Sequence, residues 1–127
     1  MSPRDCPLLV VEDDPFLREL LVDVLDLQGW QVRHCPGAVA ALQIAGREPP
    51  ALLITDYRIP GCNGLELLAC LRGLEGLSAL PAILLSGHAG EALSLPDGVL
   101  WLQKPVTPAQ LVMATGQLLA RVTDPAG

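Results

Sequence analysis

Four short apolar runs, each closed by a polar residue, constrain the fold of this chain more than any other feature. Leu8-Leu9-Val10-Val11 leads into Glu12-Asp13-Asp14, and Ala51-Leu52-Leu53-Ile54-Thr55 into Asp56. Ala82-Ile83-Leu84-Leu85 leads into Ser86, and Val99-Leu100-Trp101-Leu102-Gln103 into Lys104. Such runs are strand-length, and continuous apolarity suits parallel strands covered by helices on both faces. Helical crossovers return every strand in the same direction, so the C-terminal ends open on one edge, where doubly wound α/β proteins build their sites. Asp13, Asp56, Ser86 and Lys104 are therefore expected to converge although they are dispersed along the chain.

The intervening segments read as helices. Asp14-Pro15 is a carboxylate N-cap followed by a proline whose missing N–H costs nothing there. Leu17, Leu20, Leu21, Val24 and Leu25 then recur at helical spacing, and the helix is expected to end near Gly29. Trp30 to Cys35 reads as a less apolar second strand at an edge. Ala38 to Gly46 is a short helix built on Val39, Leu42, Gln43 and Ile44, stopped by Glu48-Pro49-Pro50. The turn cluster Pro60-Gly61-Cys62-Asn63-Gly64 leads into a helix with Leu65, Leu68 and Leu71, and Leu74 beyond them, on one side. Between Ser86 and the fifth strand only Glu91 to Leu95, bounded by Gly90 and Pro96, is free to be helical, so the fourth helix is expected to be shortened to about one turn. Thr107-Pro108 repeats the cap-plus-proline device and opens a last helix running to about Val122, with Gly116 a weak point inside it. The expectation is one α/β domain over residues 7–122, with tails at 1–6 and 123–127.

Composition narrows the function classes. The 127 residues can bury a core without staples, and with 50% hydrophobic but only 3% aromatic residues that core must be aliphatic. A net charge of -6 argues against nucleic acid, which is gripped through clustered Lys and Arg. No apolar stretch approaches the ~20 residues of a bilayer span. No basic-then-apolar leader precedes Leu8, so the expected location is the cytoplasm. Cys6, Cys35, Cys62 and Cys70 never form a C-x-x-C pair and read as reduced thiols rather than a zinc site or disulfides.

The residues at the strand ends point to chemistry. A strand-end aspartate ordinarily caps a helix, and Asp14 beside Pro15 fits that description. Asp13 and Asp56 do not, because neither is placed to cap. Glu12, Asp13 and Asp56 would crowd like charges together unless a cation neutralised them, and one or two carboxylates that leave several waters in place are how proteins hold Mg²⁺. A divalent cation, Mg²⁺ or Mn²⁺, is therefore expected. Lys104 would ordinarily be a solvated strand end; beside carboxylates and the Ser86 hydroxyl it reads as a phosphate contact or a counter-ion. Lys104-Pro105 is an X-Pro bond, the type for which cis is accessible.

In this order, Val-Val-Glu-Asp-Asp-Pro, Ile-Thr-Asp-Tyr-Arg-Ile-Pro-Gly-Cys-Asn-Gly-Leu-Glu-Leu, Leu-Leu-Ser-Gly and Leu-Gln-Lys-Pro resemble the receiver (phosphoacceptor) domain of bacterial two-component response regulators. The resemblance covers residues 7–122. It implies a flavodoxin-like three-layer fold, a doubly wound five-stranded parallel sheet of order 2-1-3-4-5. It implies Asp56 as the phosphorylated residue, Asp13 as a direct metal ligand, Glu12 as the acid that reaches the metal through water, and the backbone carbonyl of Arg58 as a further ligand. Ser86 corresponds to the switch hydroxyl, Trp101 to the switch aromatic, Lys104 to the lysine on the phosphoryl group, and Pro105 to a proline after a cis bond. The implied partner is a histidine kinase or a histidine phosphotransfer protein, and the implied catalysis is limited to self-phosphorylation and autodephosphorylation.

This sequence departs from the family pattern at several points. Arg58 and His88 flank the path of hydrolytic water, Asn63 stands where an acidic residue is frequent, and Trp101 is bulkier than the usual Tyr or Phe. Two other readings compete. A degenerate receiver acting only as an interaction module conflicts with the presence of Asp13, Asp56, Ser86 and Lys104 together. A hydrolase of haloacid-dehalogenase type wants a second Asp two residues after the nucleophile, where Arg58 stands. The short fourth helix offers little dimer surface, so a monomer serving a relay or a hybrid kinase is expected.

Overall fold

A computed structural model describes residues 6–87 and 94–123, with side chains as far as residue 121. The elements in chain order are β1 (Leu8–Val11), α1 (Pro15–Asp26), β2 (Val32–Cys35), α2 (Ala38–Arg47), β3 (Leu52–Asp56), β4 (Arg58–Ile59), β5 (Cys62–Asn63), α3 (Gly64–Arg72), β6 (Ala82–Ser86), β7 (Val99–Gln103) and α4 (Pro108–Thr123). Five strands form one parallel sheet in the order β2-β1-β3-β6-β7. Counting those five alone, this is the expected 2-1-3-4-5, because β4 and β5 form a separate two-stranded antiparallel hairpin.

The period of two in a strand splits each apolar run between two cores. Leu9, Val11, Leu53 and Leu84 face one side, packed with Ala41, Ala45, Leu67 and Leu71 from α2 and α3. Leu8, Val10, Leu52, Ile54, Ile83 and Leu85 face the other, packed with Leu21 and Leu25 of α1 and Leu111 and Leu118 of α4. Both faces of β1, β3 and β6 are buried, so a one-residue slip would gain nothing on either side. Register is instead fixed by the ladder, which pairs Val11 with both Cys35 and Thr55, Asp56 with Leu85, and Ser86 with Gln103. The polar residues at the strand ends consequently share one edge.

Several local expectations need correction. The second strand begins at Val32 rather than Trp30: Gly29 turns the chain at φ 89° and Trp30 is buried in the core that also holds residues of α1 and α4. Helix α1 stops at Asp26, three residues before that glycine, and α2 runs one residue past Gly46. In α3 the buried stripe is Leu67, Leu68 and Leu71, with Leu65 and Leu74 only partly covered. A strict spacing of three drifts off the face of a 3.6-residue helix, whereas 67, 68 and 71 stay on it. The turn cluster after β3 holds the β4–β5 hairpin, with Gly61 at φ 86°, and Asn63 is the N-cap of α3. The shortened fourth helix at Glu91 to Leu95, and His88, fall largely or wholly outside the described residues. Among the described residues no helix is long and apolar enough to cross a membrane.

Candidate phosphoacceptor site

Three acidic residues in a row at the end of β1 take three different positions. Glu12 turns inward and is 1% exposed. Its Oε2 accepts the Asp14 backbone N–H at 3.1 Å, and its own N–H donates to the Cys35 carbonyl at 3.1 Å, which ties the loop to β2. Asp13 is exposed. Asp14 is the N-cap of α1, its Oδ1 accepting from the Phe16 N–H at 2.9 Å and, more weakly, from Leu17 at 3.5 Å. The cap role expected for Asp14 holds, and Asp13 remains free to face the cluster.

Asp56 ends the central strand β3 and is 5% exposed. One carboxylate oxygen from each of Glu12, Asp13 and Asp56 lies within 4.8 Å of the others. From the end of β7, Lys104 ion-pairs with Asp56 Oδ1 and lies 3.4 Å from Glu12 Oε1. The lysine backbone N–H donates to the Ser86 carbonyl at 2.8 Å, and the bond from Lys104 to Pro105 is cis. Ser86 is buried at the end of β6, one residue past the Leu85 that pairs with Asp56. Thus Glu12, Asp13, Asp56, Ser86 and Lys104 are brought to one edge.

The electrostatics follow from crowding in a half-dry pocket. Burial raises the Glu12 pKa above the usual carboxyl range, and the neighbouring Asp56 carboxyl pushes it further up. Burial alone would lower the Lys104 pKa, but its bond to Asp56 and the charges of Asp56 and Glu12 outweigh that and raise it. Three carboxylates thus face one ammonium. Oxygen ligands gathered this closely, with a surplus of negative charge, fit a hard divalent cation such as Mg²⁺ or Mn²⁺. The group could be held by Asp13 and Asp56, with Glu12 behind them.

The other anticipated residues lie around this cluster. Arg58 opens the hairpin two residues beyond Asp56, paired with Asn63. Trp101, opposite Leu84 in the edge strand β7, is half-buried against the core shared with α2 and α3. Two contributors were not foreseen. Gly64 approaches so closely that a Cβ there would sit 2.8 Å from the Asp56 carbonyl oxygen. Its N–H also donates to the Tyr57 carbonyl at 2.6 Å. Arg18, the fourth residue of α1, donates from Nη1 to the Glu12 carbonyl at 2.8 Å. The glycine was visible in the sequence only as part of a turn cluster, and nothing local marks the arginine.

Comparison with known proteins agrees with this geometry. The family model for the response regulator receiver domain matches residues 8–115. An uncharacterized protein of Leptolyngbya boryana is 39% identical over 87% of both chains. The transcriptional activator protein PfeR of Pseudomonas aeruginosa is 38% identical over 95% of this chain, which spans only 39% of that regulator. Among solved structures, the signal receiver domain of a signal transduction histidine kinase from Syntrophus aciditrophicus superposes with a TM-score of 0.82, 27% identity and coverage of 93% and 92% of the two chains. A putative response regulator from Chloroflexus aurantiacus gives 0.79 with 31% identity, covering 91% of this chain and 98% of the other. With the family model spanning residues 8–115 and so all seven strands, the chain belongs to the response regulator receiver domain family, which supports phosphorylation-based two-component signalling.

Proposed function

We propose that this domain is a cytoplasmic receiver that accepts a phosphoryl group onto Asp56 from the phosphohistidine of a histidine kinase or a histidine phosphotransfer protein. The observation that carries the reading is the buried Asp56 carboxylate, paired with Lys104 and gathered with Glu12 and Asp13 at one sheet edge. An Asp56 carboxylate oxygen attacks phosphorus, the P–N bond breaks, and the departing imidazole keeps the electron pair. Lys104 neutralises charge on the phosphoryl oxygens, as its present pairing with the Asp56 carboxylate suggests. Mg²⁺ or Mn²⁺, when bound, supplies further neutralisation and orients the same oxygens. The Ser86 hydroxyl would donate to the new acceptor group, and Trp101 would carry the change to the outer face of β7. Charge-assisted bonds contribute roughly 1.5 to 3 kcal/mol each. Two or three of them approach the ~5.5 kcal/mol that moves a two-state equilibrium from mostly inactive to mostly active.

The surface beside the site supports a helical protein donor. A groove of about 430 Å³ runs between α1 and the loop after β7, lined by Leu17, Leu20, Leu21, Pro105 and Val106 and by the site lysine Lys104. Phe16 and Leu20 stand 84% and 55% exposed on α1. Apolar side chains left in water next to a reactive carboxylate suit a partner helix that carries the donor histidine.

The test is phosphorylation by acetyl phosphate with Mg²⁺, followed by intact mass. Wild type gains one alkali-labile phosphoryl group, and Asp56→Asn gains none. Labelling that persists in the variant would remove the assignment.

A further inference from the structure

We propose that Arg18 is a positioning residue for the acidic pocket, holding the peptide between Glu12 and Asp13 so that both carboxylates face Asp56. This rests on the phosphoacceptor reading above. The loop from β1 to α1 carries two site carboxylates on adjacent residues, and a free peptide plane between them would let Asp13 swing away. The flanking peptides are already tied. The Glu12 N–H is bonded to Cys35, and the Asp14 N–H to the Glu12 side chain. The Glu12 carbonyl between them is held by Arg18 Nη1 at 2.8 Å.

The arginine is well placed for this task. It is half-buried, and its backbone N–H donates to the Asp14 carbonyl at 2.9 Å in the first turn of a helix that Asp14 itself caps. Cap, helix and carbonyl clamp therefore share one short segment. The guanidinium also lies close enough to Cys35 on β2 to pull that thiol's pKa down, although burial is the larger effect and leaves it raised. Arg18 thus braces the loop from α1. A charge-assisted bond to a carbonyl in a partly dry setting is shorter and stronger than a neutral one.

A positioning role and a purely electrostatic role predict opposite signs. If Arg18 acted only through its charge, removing a cation beside the carboxylates would tighten divalent cation binding. If it holds the peptide, removing it weakens binding, and outer partners of metal ligands typically cost about 10- to 100-fold in affinity. The experiment titrates the full chain with Mn²⁺, following free ion by electron paramagnetic resonance, for wild type, Arg18→Ala, Arg18→Lys and Asp13→Asn. Thermal unfolding of each variant in EDTA is measured alongside. Arg18→Ala is expected to bind Mn²⁺ about tenfold more weakly at a temperature where it is fully folded, with Arg18→Lys between it and wild type. Wild-type or tighter binding by Arg18→Ala, with Asp13→Asn weakened, overturns the positioning role alone. Lower thermal stability of Arg18→Ala without a change in Mn²⁺ affinity reduces Arg18 to a structural part and overturns it equally. Absence of Mn²⁺ binding by wild type overturns both this inference and the cation site on which it rests.

Discussion

Gly64→Ala tests how tightly the backbone around Asp56 is packed. The added Cβ would lie 2.8 Å from the Asp56 carbonyl oxygen, 2.9 Å from Leu84 Cδ2 and 3.1 Å from Thr55 Cγ2. The leucine methyl can turn aside, but the carbonyl cannot. It belongs to the last residue of the central strand, and it accepts the buried Thr55 hydroxyl at 2.9 Å. Relief needs a movement of about half an ångström, which would stretch that bond and the short one from Gly64 to Tyr57. Overpacking of this kind typically costs about 1–3 kcal/mol. Gly64 is the first residue of α3, so the helix propensity gained by alanine offsets little. Gly116→Ala is the matched control. It lies inside α4 with nothing within 4 Å of its Cβ position, and it should stabilise by about 0.8–1 kcal/mol. Urea unfolding at 25 °C, followed through the buried Trp30, would report both. Opposite signs are expected, together with slower acetyl phosphate labelling of Gly64→Ala. Stability of Gly64→Ala within 0.5 kcal/mol of wild type would refute the close-approach argument.

Two further outcomes follow from buried polar groups. Thr115 is fully buried, and its hydroxyl has no hydrogen-bond partner among the described residues, so Thr115→Val should stabilise by about 1–3 kcal/mol in the same urea assay; a loss instead would mean that the hydroxyl is satisfied. Glu12 has a pKa raised in the folded protein, so its contribution is fully present below the unfolded value of about 4.3 and is lost as pH rises through the raised one. In EDTA, Glu12→Gln should therefore exceed wild type in stability at pH 7 to 8, with the gap closing towards pH 4, and a gap that widens on acidification contradicts it.

The parallel sheet was legible because β1, β3 and β6 are apolar on both faces, a pattern that few other strand environments accept. The convergence of Asp13, Asp56, Ser86 and Lys104 followed from strand direction alone. Elements set by tertiary contact were not legible. Trp30 reads as a strand residue because aromatics favour strands, but it is buried in the core while the chain turns at Gly29. The β4–β5 hairpin has two residues per strand, too few to show alternation. Arg18 is one of several charged residues on α1, and only the fold places a carbonyl six residues earlier in its path. The close approach of Gly64 likewise depends on how α3 packs over β3.

The helix caps show why the carboxylates of the acidic cluster are left unspent by the local backbone. Among the described residues, the helices that follow β1, β3 and β7 begin at the site edge, and each is capped by a side chain: α1 by Asp14, α3 by Asn63 with Glu66 in a reciprocal pair, and α4 by Thr107 with Gln110. Helix α2 follows the edge strand β2, which carries no site residue, and Gly37 caps it without a side-chain bond. Capping supplies the acceptors that the first N–H groups of α1, α3 and α4 require. Asp13 and Asp56 are thereby not drawn into helix ends, where backbone N–H groups would have stabilised their charge. Their repulsion, added to that of Glu12, is met in part by the Lys104 ammonium, which pairs with Asp56 and Glu12 but carries one charge against three carboxylates. The residue next to Pro15 takes the local structural task, and the residue before it keeps its charge for the pocket. A cap shifted by one position, with Asp13 serving α1, would satisfy the helix equally well and leave the acidic cluster without one of its three carboxylates.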